Sequence, residues 1–164
     1  MTSILQAKIW FAEKNLKDLE HPLKDEAKKV LVTSDFACKN SVLFKTLLQE
    51  DPCQKLLPRQ AYFDALKELP TASSQAAYMS QLRRFRNRHF LRLLLLDAAG
   101  KSSTEAIMSS WSDCADALIL HCLDYCYASL KSSYGQPKSN QHEPIQFHTL
   151  AMGKLGGCEL NFSS

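Results

Sequence analysis

The sequence predicts a mainly α-helical protein, in which a helical array is followed by the first strand and the glycine-rich loop of an incomplete α/β unit. From residue 5 to about residue 130, apolar residues recur every three or four positions, which is the period of amphipathic helices. The pattern becomes strand-like only at residues 145–150. Three glycines follow directly: Gly153, Gly156 and Gly157.

Three helices are expected in the first half of the chain. The first occupies residues 5–19 and ends before Pro22. After a Lys/Glu-rich stretch, Ser34 can cap a second helix that ends near Asp51. Its expected apolar positions include Phe36, Val42, Leu43, Leu47 and Leu48. A third, shorter helix is expected over residues 59–68, before Pro70.

Two longer helices follow. The first spans about residues 75–98 and ends at Gly100. Ser102 and Glu105 form the pattern of a capping box, which starts a helix that runs to about Leu130. The short connection predicts that the two helices are antiparallel neighbours. Their expected core-facing residues are Leu82, Phe85, Phe90, Leu93, Leu94, Trp111, Ala115, Leu118, Cys122 and either Tyr125 or Cys126.

The chain therefore divides into three expected regions: a helical region at 1–131, a polar linker at 132–144 and an incomplete α/β core at 145–164. Glycine lets a backbone approach a ligand closely, so a strand that leads into this loop is a candidate phosphate-binding segment. It is not a Walker A motif, because Lys154 is followed by Leu155. On glycine spacing alone, a plain turn is the alternative interpretation.

Composition narrows the class of protein. The 164 residues are 45% hydrophobic and 23% charged, which suits a globular domain. The net charge of +3 gives no reason to expect nucleic acid as a partner. No apolar run approaches the roughly 20 residues that span a bilayer, so we expect no membrane segment. The N-terminus lacks the pattern of a signal peptide, which predicts a cytoplasmic protein.

The six cysteines are expected to be free thiols in a reducing compartment. Cys114, Cys122 and Cys126 share one predicted helix, where paired thiols could hold a metal. No CxxC or Cys/His quartet accompanies them. Because free cysteine is among the most often buried residue types, we interpret them as core thiols and expect no metal.

A basic cluster lies on the first long helix. Its five arginines occupy ten residues: Arg83, Arg84, Arg86, Arg88 and Arg92. They could contact a polyanion such as the phosphates of ATP. The alternative is a solvated face that is partly neutralised by the next helix. The acids of that helix are Glu105, Asp113, Asp116 and Asp124.

Residues 151–164, AMGKLGGCELNFSS, carry a specific resemblance. They resemble the signature (G/A)MGKLGGxELNFSS of the glutamine synthetase adenylyltransferase/adenylyl-removing enzymes, a family of the nucleotidyltransferase superfamily. In that family an Asp-x-Asp motif follows at once. The resemblance implies that the chain is an N-terminal fragment that ends just before this motif.

Residues 82–100 resemble the same family, whose helix reads roughly LRRFRRRExLRIxxRDLxG. Two positions depart from it. His89 stands where the family usually has glutamate, and Leu96 stands where it usually has arginine. Losing one charge of each sign suggests that an ion pair or a polar contact of the family is absent from this chain.

The resemblance implies a nucleotidyl-transfer site that uses Mg²⁺ and ATP or ADP. Its phosphate-binding positions in this chain would be Gly153, Lys154, Gly156, Gly157, Ser163 and Ser164. The metal-binding carboxylates would follow Ser164, so no catalytic or metal-ligating residue is assigned within the 164 residues.

The implied function is the control of glutamine synthetase in nitrogen assimilation. The N-terminal half of such enzymes removes AMP from a tyrosine by phosphorolysis, which releases ADP, and the C-terminal half attaches AMP from ATP. The implied partners are glutamine synthetase and a PII-type signalling protein. We expect the chain alone to be inactive. The alternative is a non-catalytic helical module that docks to glutamine synthetase or to a PII-type regulator.

Overall fold

The computed structural model describes residues 3–162 and confirms a mainly helical fold. Within these residues there are eight helices: α1 Ile4–Leu16, α2 Lys24–Thr33, α3 Asp35–Lys39, α4 Ser41–Glu50, α5 Arg59–Lys67, α6 Gln75–Ala98, α7 Thr104–Tyr134 and α8 Gly153–Gly156. No helix in this part of the chain is both long and apolar enough to cross a membrane.

Helices α1 to α4 pack around a first core cluster, to which α6 contributes. This cluster consists of Ala12, Leu16, Leu19, Leu23, Ala27, Val30, Leu31, Ala37, Phe44, Leu47, Leu48, Cys53, Leu91 and Leu95. The first predicted helix is confirmed as α1, although it ends at Leu16 and leaves the buried Leu19 in the following turn.

Ser34 is confirmed as a helix cap, but the prediction of one continuous helix from Ser34 to Asp51 is wrong, because the backbone breaks at Asn40. Ser34 is extended, and its N–H closes α2 on the Val30 carbonyl while its side chain accepts a hydrogen bond from the Ala37 N–H. Asn40 then separates α3 from α4. After this break Val42 is 79% exposed, although it was predicted to face the core.

Helices α5, α6 and α7 pack around a second core cluster. It consists of Tyr62, Leu66, Tyr78, Leu82, Phe85, Phe90, Leu93, Leu96, Ile107, Trp111, Cys114 and Ala117. Because α6 contributes residues to both clusters, it is the element that joins them. The predictions for α5 and α6 are confirmed to within one residue at each end.

The antiparallel packing of α6 on α7 is also confirmed. The Tyr78 hydroxyl donates to the His121 carbonyl at 3.1 Å, while the rings of Phe90 and Trp111 are 5.2 Å apart. At the turn between the helices, Gly100 has φ +60°. The Lys101 N–H bonds to the Leu96 carbonyl there, which is the six-residue bond of a Schellman motif.

The start of α7 differs by one residue from the prediction. Ser103, and not Ser102, is the N-cap, and its hydroxyl accepts from the Ala106 N–H. Glu105 therefore lies one position too early for the predicted capping box. The helix continues to Tyr134, beyond the expected end at Leu130. Its predicted face is only partly right, since Trp111 is buried, whereas Ala115, Leu118 and Cys122 are half-buried and Tyr125 and Cys126 are exposed.

The predicted strand at residues 145–150 is wrong. In this region the described residues form one isolated bridge, between Lys138 and Pro144. Residues 146–150 make no backbone hydrogen bond within the described chain. A strand requires a ladder of hydrogen bonds to a neighbouring backbone, and after Ile145, whose N–H donates to the Pro137 carbonyl, the segment has no such bonds within the described chain. Phe147 and Leu150 are 67% and 88% exposed as a result.

The glycine-rich loop is not observed as a loop, because the one-turn helix α8 occupies Gly153–Gly156. After α8 the chain returns to the second core cluster. The Leu160 N–H donates to the Ser112 hydroxyl at 3.2 Å, and the Phe162 ring meets the Phe90 ring edge-on at 5.2 Å. This contact anchors residues 160–162 on α6 and α7.

Candidate functional site

The α8 segment, residues 153–157, contains three glycines, and they differ in whether the local backbone conformation requires a glycine. Gly153 has φ +59°, a conformation that favours glycine. At Gly156 an added Cβ would lie 2.6 Å from the Ala151 carbonyl oxygen, which is a severe backbone clash. Gly157 has φ −84°, and an added Cβ there would make an ordinary contact with the Gly153 carbonyl oxygen, at 3.5 Å. The fold therefore explains two of the glycines and leaves Gly157 unexplained.

The backbone N–H groups of this segment are partly occupied. Gly156 donates to the Met152 carbonyl at 3.4 Å, and Gly157 donates to the Gly153 carbonyl at 2.9 Å. The N–H of Gly153 makes no hydrogen bond within the described residues, as is usual in the first turn of a helix. Lys154 is exposed, and Ser163 and Ser164 lie outside the described residues.

The acids near α8 do not form a Mg²⁺ site. Glu159 is the only carboxylate between residues 151 and 162. Asp113 and Asp116 on α7 both bind the Arg59 guanidinium, at 3.1 and 2.9 Å. Within the described residues no three His, Cys, Asp or Glu side chains are grouped as metal ligands. Because Mg²⁺ prefers several oxygen ligands in octahedral geometry, the residues described here do not fit this ion.

A cavity of ≈ 400 Å³ separates α8 from α7. Its lining residues are Asp116, Ile119, Leu120, Thr149, Leu150, Ala151, Met152 and Leu155. The walls are mostly apolar, and the single acid is already bound by Arg59.

The basic cluster of α6 is neutralised by a different helix from the one predicted. Arg88 binds Glu50 at 2.7 Å, and Arg92 binds Asp51 at 2.7 Å, both at the end of α4. The acids Asp113 and Asp116 of α7 bind Arg59 of α5 instead. The prediction that α7 neutralises the arginines of α6 is therefore wrong, because the rotation of α6 turns Arg88 and Arg92 toward α4.

The Arg92–Asp51 pair was not foreseen from the sequence and is the most buried ion pair among the described residues. The Arg92 guanidinium also donates to the Lys55 carbonyl at 2.6 Å. Partial burial acts to raise the pKa of the Asp51 carboxyl. The hydrogen bonds from Arg92 and from the Cys53 N–H outweigh it and hold that pKa below its usual value.

The remaining arginines of α6 have other surroundings. Arg86 lies over the rings of Phe90 and Trp111, at 5.7 and 5.4 Å from the centroids. Arg83 and Arg84 are exposed and form no ion pair within the described residues. They are the part of the basic cluster that can still meet an anionic partner.

The two departures from the family pattern are both buried. Leu96 is fully enclosed in the second core cluster. His89 is only 6% exposed and lies between the rings of Tyr62 and Phe85. Burial and the nearby charges of Arg88 and Arg92 lower the pKa of His89 to about 4, so the imidazole is neutral at pH 7. Its Nδ1 and the Nη1 of Arg92 are buried without a hydrogen-bond partner in the described chain.

All six cysteines are free thiols. Cys114 is buried, which confirms its interpretation as a core residue, and burial raises the pKa of its thiol to about 12. Cys122 is half-buried, whereas Cys126 is exposed, so the prediction of a core thiol is wrong for Cys126.

Comparison with known proteins identifies the family of the chain. A family model described as glutamate-ammonia ligase adenylyltransferase matches residues 27–164, which run from α2 to the end of the sequence. No solved structure gives a significant match. The match includes both segments that carry the resemblance, at residues 82–100 and 151–164. The chain therefore belongs to the glutamate-ammonia ligase adenylyltransferase family.

Proposed function

We propose that this chain supplies the helical region and the phosphate-contacting segment of an enzyme that modifies glutamine synthetase with AMP. Family membership supports the substrate protein and the reaction class. In one direction a tyrosine oxygen attacks the α-phosphorus of ATP, and pyrophosphate leaves. In the other direction inorganic phosphate attacks the phosphorus of AMP-tyrosine, the bond to the tyrosine oxygen breaks, and ADP is released.

The α8 segment is the proposed place of the nucleotide phosphates. Gly153 and Lys154 begin the segment, with a backbone N–H and an exposed ammonium group as donors. Gly156, Gly157, Ser163 and Ser164 complete the proposed set. The observation that most supports the proposal is Gly157. The fold leaves room for an added Cβ at this position, whereas a ligand that approaches the backbone closely would leave no room for it.

The proposed site is incomplete within these residues. In such an enzyme Mg²⁺ would offset the charge of the phosphates, but Glu159 by itself does not form a site for it. We therefore propose that the 164-residue chain alone binds ATP or ADP weakly and neither attaches nor removes AMP. Mass spectrometry of glutamine synthetase, with phosphate, ATP and Mg²⁺ supplied, is expected to show no turnover above a control without the chain.

Nucleotide binding tests the proposed site directly. Titration of the ¹⁵N-labelled chain with ADP is expected to shift the amide resonances of residues 153–157 at millimolar concentrations. Gly157→Ala should weaken this binding at least about fivefold, the equivalent of roughly 1 kcal/mol, with an unchanged circular dichroism spectrum. Lys101→Gln, which removes an exposed lysine at the α6–α7 turn, is the matched control. Equal binding by Gly157→Ala and the parent chain would contradict the proposal.

A second candidate function is docking without catalysis, to glutamine synthetase or to a PII-type regulator. It is favoured by Arg83 and Arg84, which are exposed on α6 without an ion pair in the described chain. The double variant Arg83→Glu, Arg84→Glu should abolish co-elution with such a partner in gel filtration. Co-elution that does not change with these charges would remove the support for this candidate.

A further inference from the structure

His89 and Arg92 are two buried polar side chains on α6, the helix that joins the two core clusters. They are three residues apart, which places them on the same face of the helix. Their side chains are only 6% and 4% exposed. One nitrogen of each, Nδ1 of His89 and Nη1 of Arg92, is buried without a hydrogen-bond partner, and no other side-chain nitrogen or oxygen of the described residues is buried in this way.

Two such atoms on one helix face call for a shared explanation. A polar group that is buried without a partner costs free energy, and native proteins pair nearly all of these groups with protein atoms or with ordered water. An arginine N–H could donate to the acceptor nitrogen of a neutral imidazole, yet Nη1 and Nδ1 do not bond to each other. Their common partner is therefore expected to be a small molecule between them.

The surrounding residues hold both side chains in place. The Arg92 Nε donates to the Asp51 carboxylate at 2.7 Å, and its Nη2 donates to the Lys55 carbonyl at 2.6 Å. These two bonds tie the guanidinium to the connection between α4 and α5 and leave Nη1 as its remaining nitrogen. The His89 ring lies 4.9 Å from the ring of Tyr62 and 4.3 Å from that of Phe85. A ligand between Nη1 and Nδ1 would therefore meet a preformed site.

The charges around the two nitrogens select the class of ligand. It must accept a hydrogen bond, since a guanidinium has only donors. The charge of Arg92 is already offset by Asp51, and burial keeps the pKa of His89 at about 4, so the ring is neutral at pH 7. An anion would add an uncompensated buried charge, and a cation would be repelled by Arg92. A water molecule carries no charge and can both accept and donate.

We propose that one water molecule is bound between His89 and Arg92. It accepts a hydrogen bond from Nη1 of Arg92 and donates one to Nδ1 of His89, so the imidazole proton resides on Nε2. Buried waters of this kind connect polar groups that the chain leaves unpaired. The water links the α4–α5 connection, which Arg92 holds, to the second core cluster around His89. The side chain of Asp51 is 24% exposed, which gives the water a route of exchange with solvent.

Relaxation dispersion of water ¹⁷O, which counts long-lived internal waters, tests the proposal. His89→Phe removes the acceptor nitrogen and leaves a single polar atom at the site, which is too few to hold a water. This variant is expected to contain one long-lived water fewer than the parent chain. His148→Phe, the same substitution at an exposed position, is the matched control and should leave the count unchanged. Circular dichroism checks that both variants keep the helical fold.

The parent chain provides a second test that needs no variant. Its ¹⁵N spectrum should show His89 with a protonated Nε2 and an unprotonated, hydrogen-bonded Nδ1. The carbon-bound Hε1 of His89 should show an NOE to a long-lived water, whereas the exposed His148 should show none. The relaxation of ³⁵Cl should be the same in the parent chain and in His89→Phe. Equal water counts in these two chains, a proton on Nδ1, no NOE to water, or an excess of ³⁵Cl relaxation in the parent, which would indicate a bound anion, would overturn the proposal.

Discussion

The helical array up to Tyr134 and the segment after it differ in where their backbone hydrogen bonds are made. In the array each helix satisfies its own backbone, and the caps at Ser3, Ser34, Ser74 and Ser103 satisfy further donors at the helix starts. Residues 146–150 have no such local partner. The comparison shows that helices can be completed within this chain, whereas an extended segment depends on a neighbour.

The largest expected difference between the regions is in the effect of losing one phenylalanine side chain. Phe44 is completely buried in the first core cluster, while Phe147 is 67% exposed. Phe44→Ala should lower the free energy of unfolding by about 3–5 kcal/mol, because it leaves a cavity. Phe147→Ala should change it by no more than about 0.5 kcal/mol in the monomer. Urea denaturation of the two variants measures both losses of free energy, and similar losses would contradict the comparison.

A second difference between the regions is how strongly a histidine in each makes the stability depend on pH. The pKa of His89 is about 4 in the fold and 6.5 in its absence, so the unfolded chain binds the proton more tightly. This contribution to stability is complete above pH 6.5 and is lost as the pH falls toward 4, with up to about 3 kcal/mol lost in total.

Denaturation midpoints measured between pH 7 and pH 4 check this prediction. His89→Phe should remove most of the pH dependence in that range, since phenylalanine can occupy the space between Tyr62 and Phe85. His148→Gln, in the exposed segment, should leave the pH dependence unchanged. The same slope in the parent chain and in His89→Phe would show that His89 is not the responsible group.

The smallest expected effect on stability comes from removing the N-cap hydroxyl of α7, and it tests where this helix begins. Ser103→Ala removes the hydroxyl that accepts from the Ala106 N–H and should cost about 1 kcal/mol. Ser102→Ala should cost less than about 0.5 kcal/mol. Thermal unfolding of the two variants side by side sharpens the assignment, and a larger loss for Ser102→Ala would restore the capping box expected from the sequence.

The sequence predicts well those elements whose formation depends on residues close together in the chain. The apolar periodicity of α5, α6 and α7, together with the residues that begin and end them, is sufficient to place these helices within a few residues. Helix α2 was missed because its charged residues obscure a short apolar stripe of Ala27, Val30 and Leu31.

Features set by contacts distant in sequence could not be predicted in the same way. Alternation at residues 145–150 indicates a strand only when another backbone is present. The partners of Arg88 and Arg92 depend on the rotation of α6 against α4. In the candidate site, the sequence identifies the three glycines, but only the backbone geometry separates Gly157 from Gly153 and Gly156.

Hydrogen exchange measured by mass spectrometry tests the contrast between the two regions most directly. The parent chain at low concentration is the suitable sample, because it contains both regions unchanged. We expect residues 91–96 of α6, which contribute to both core clusters, to exchange at least about 1,000-fold more slowly than an unstructured peptide. Residues 146–150 should exchange at nearly the unstructured rate. Protection of residues 146–150 equal to that of α6 would contradict the account.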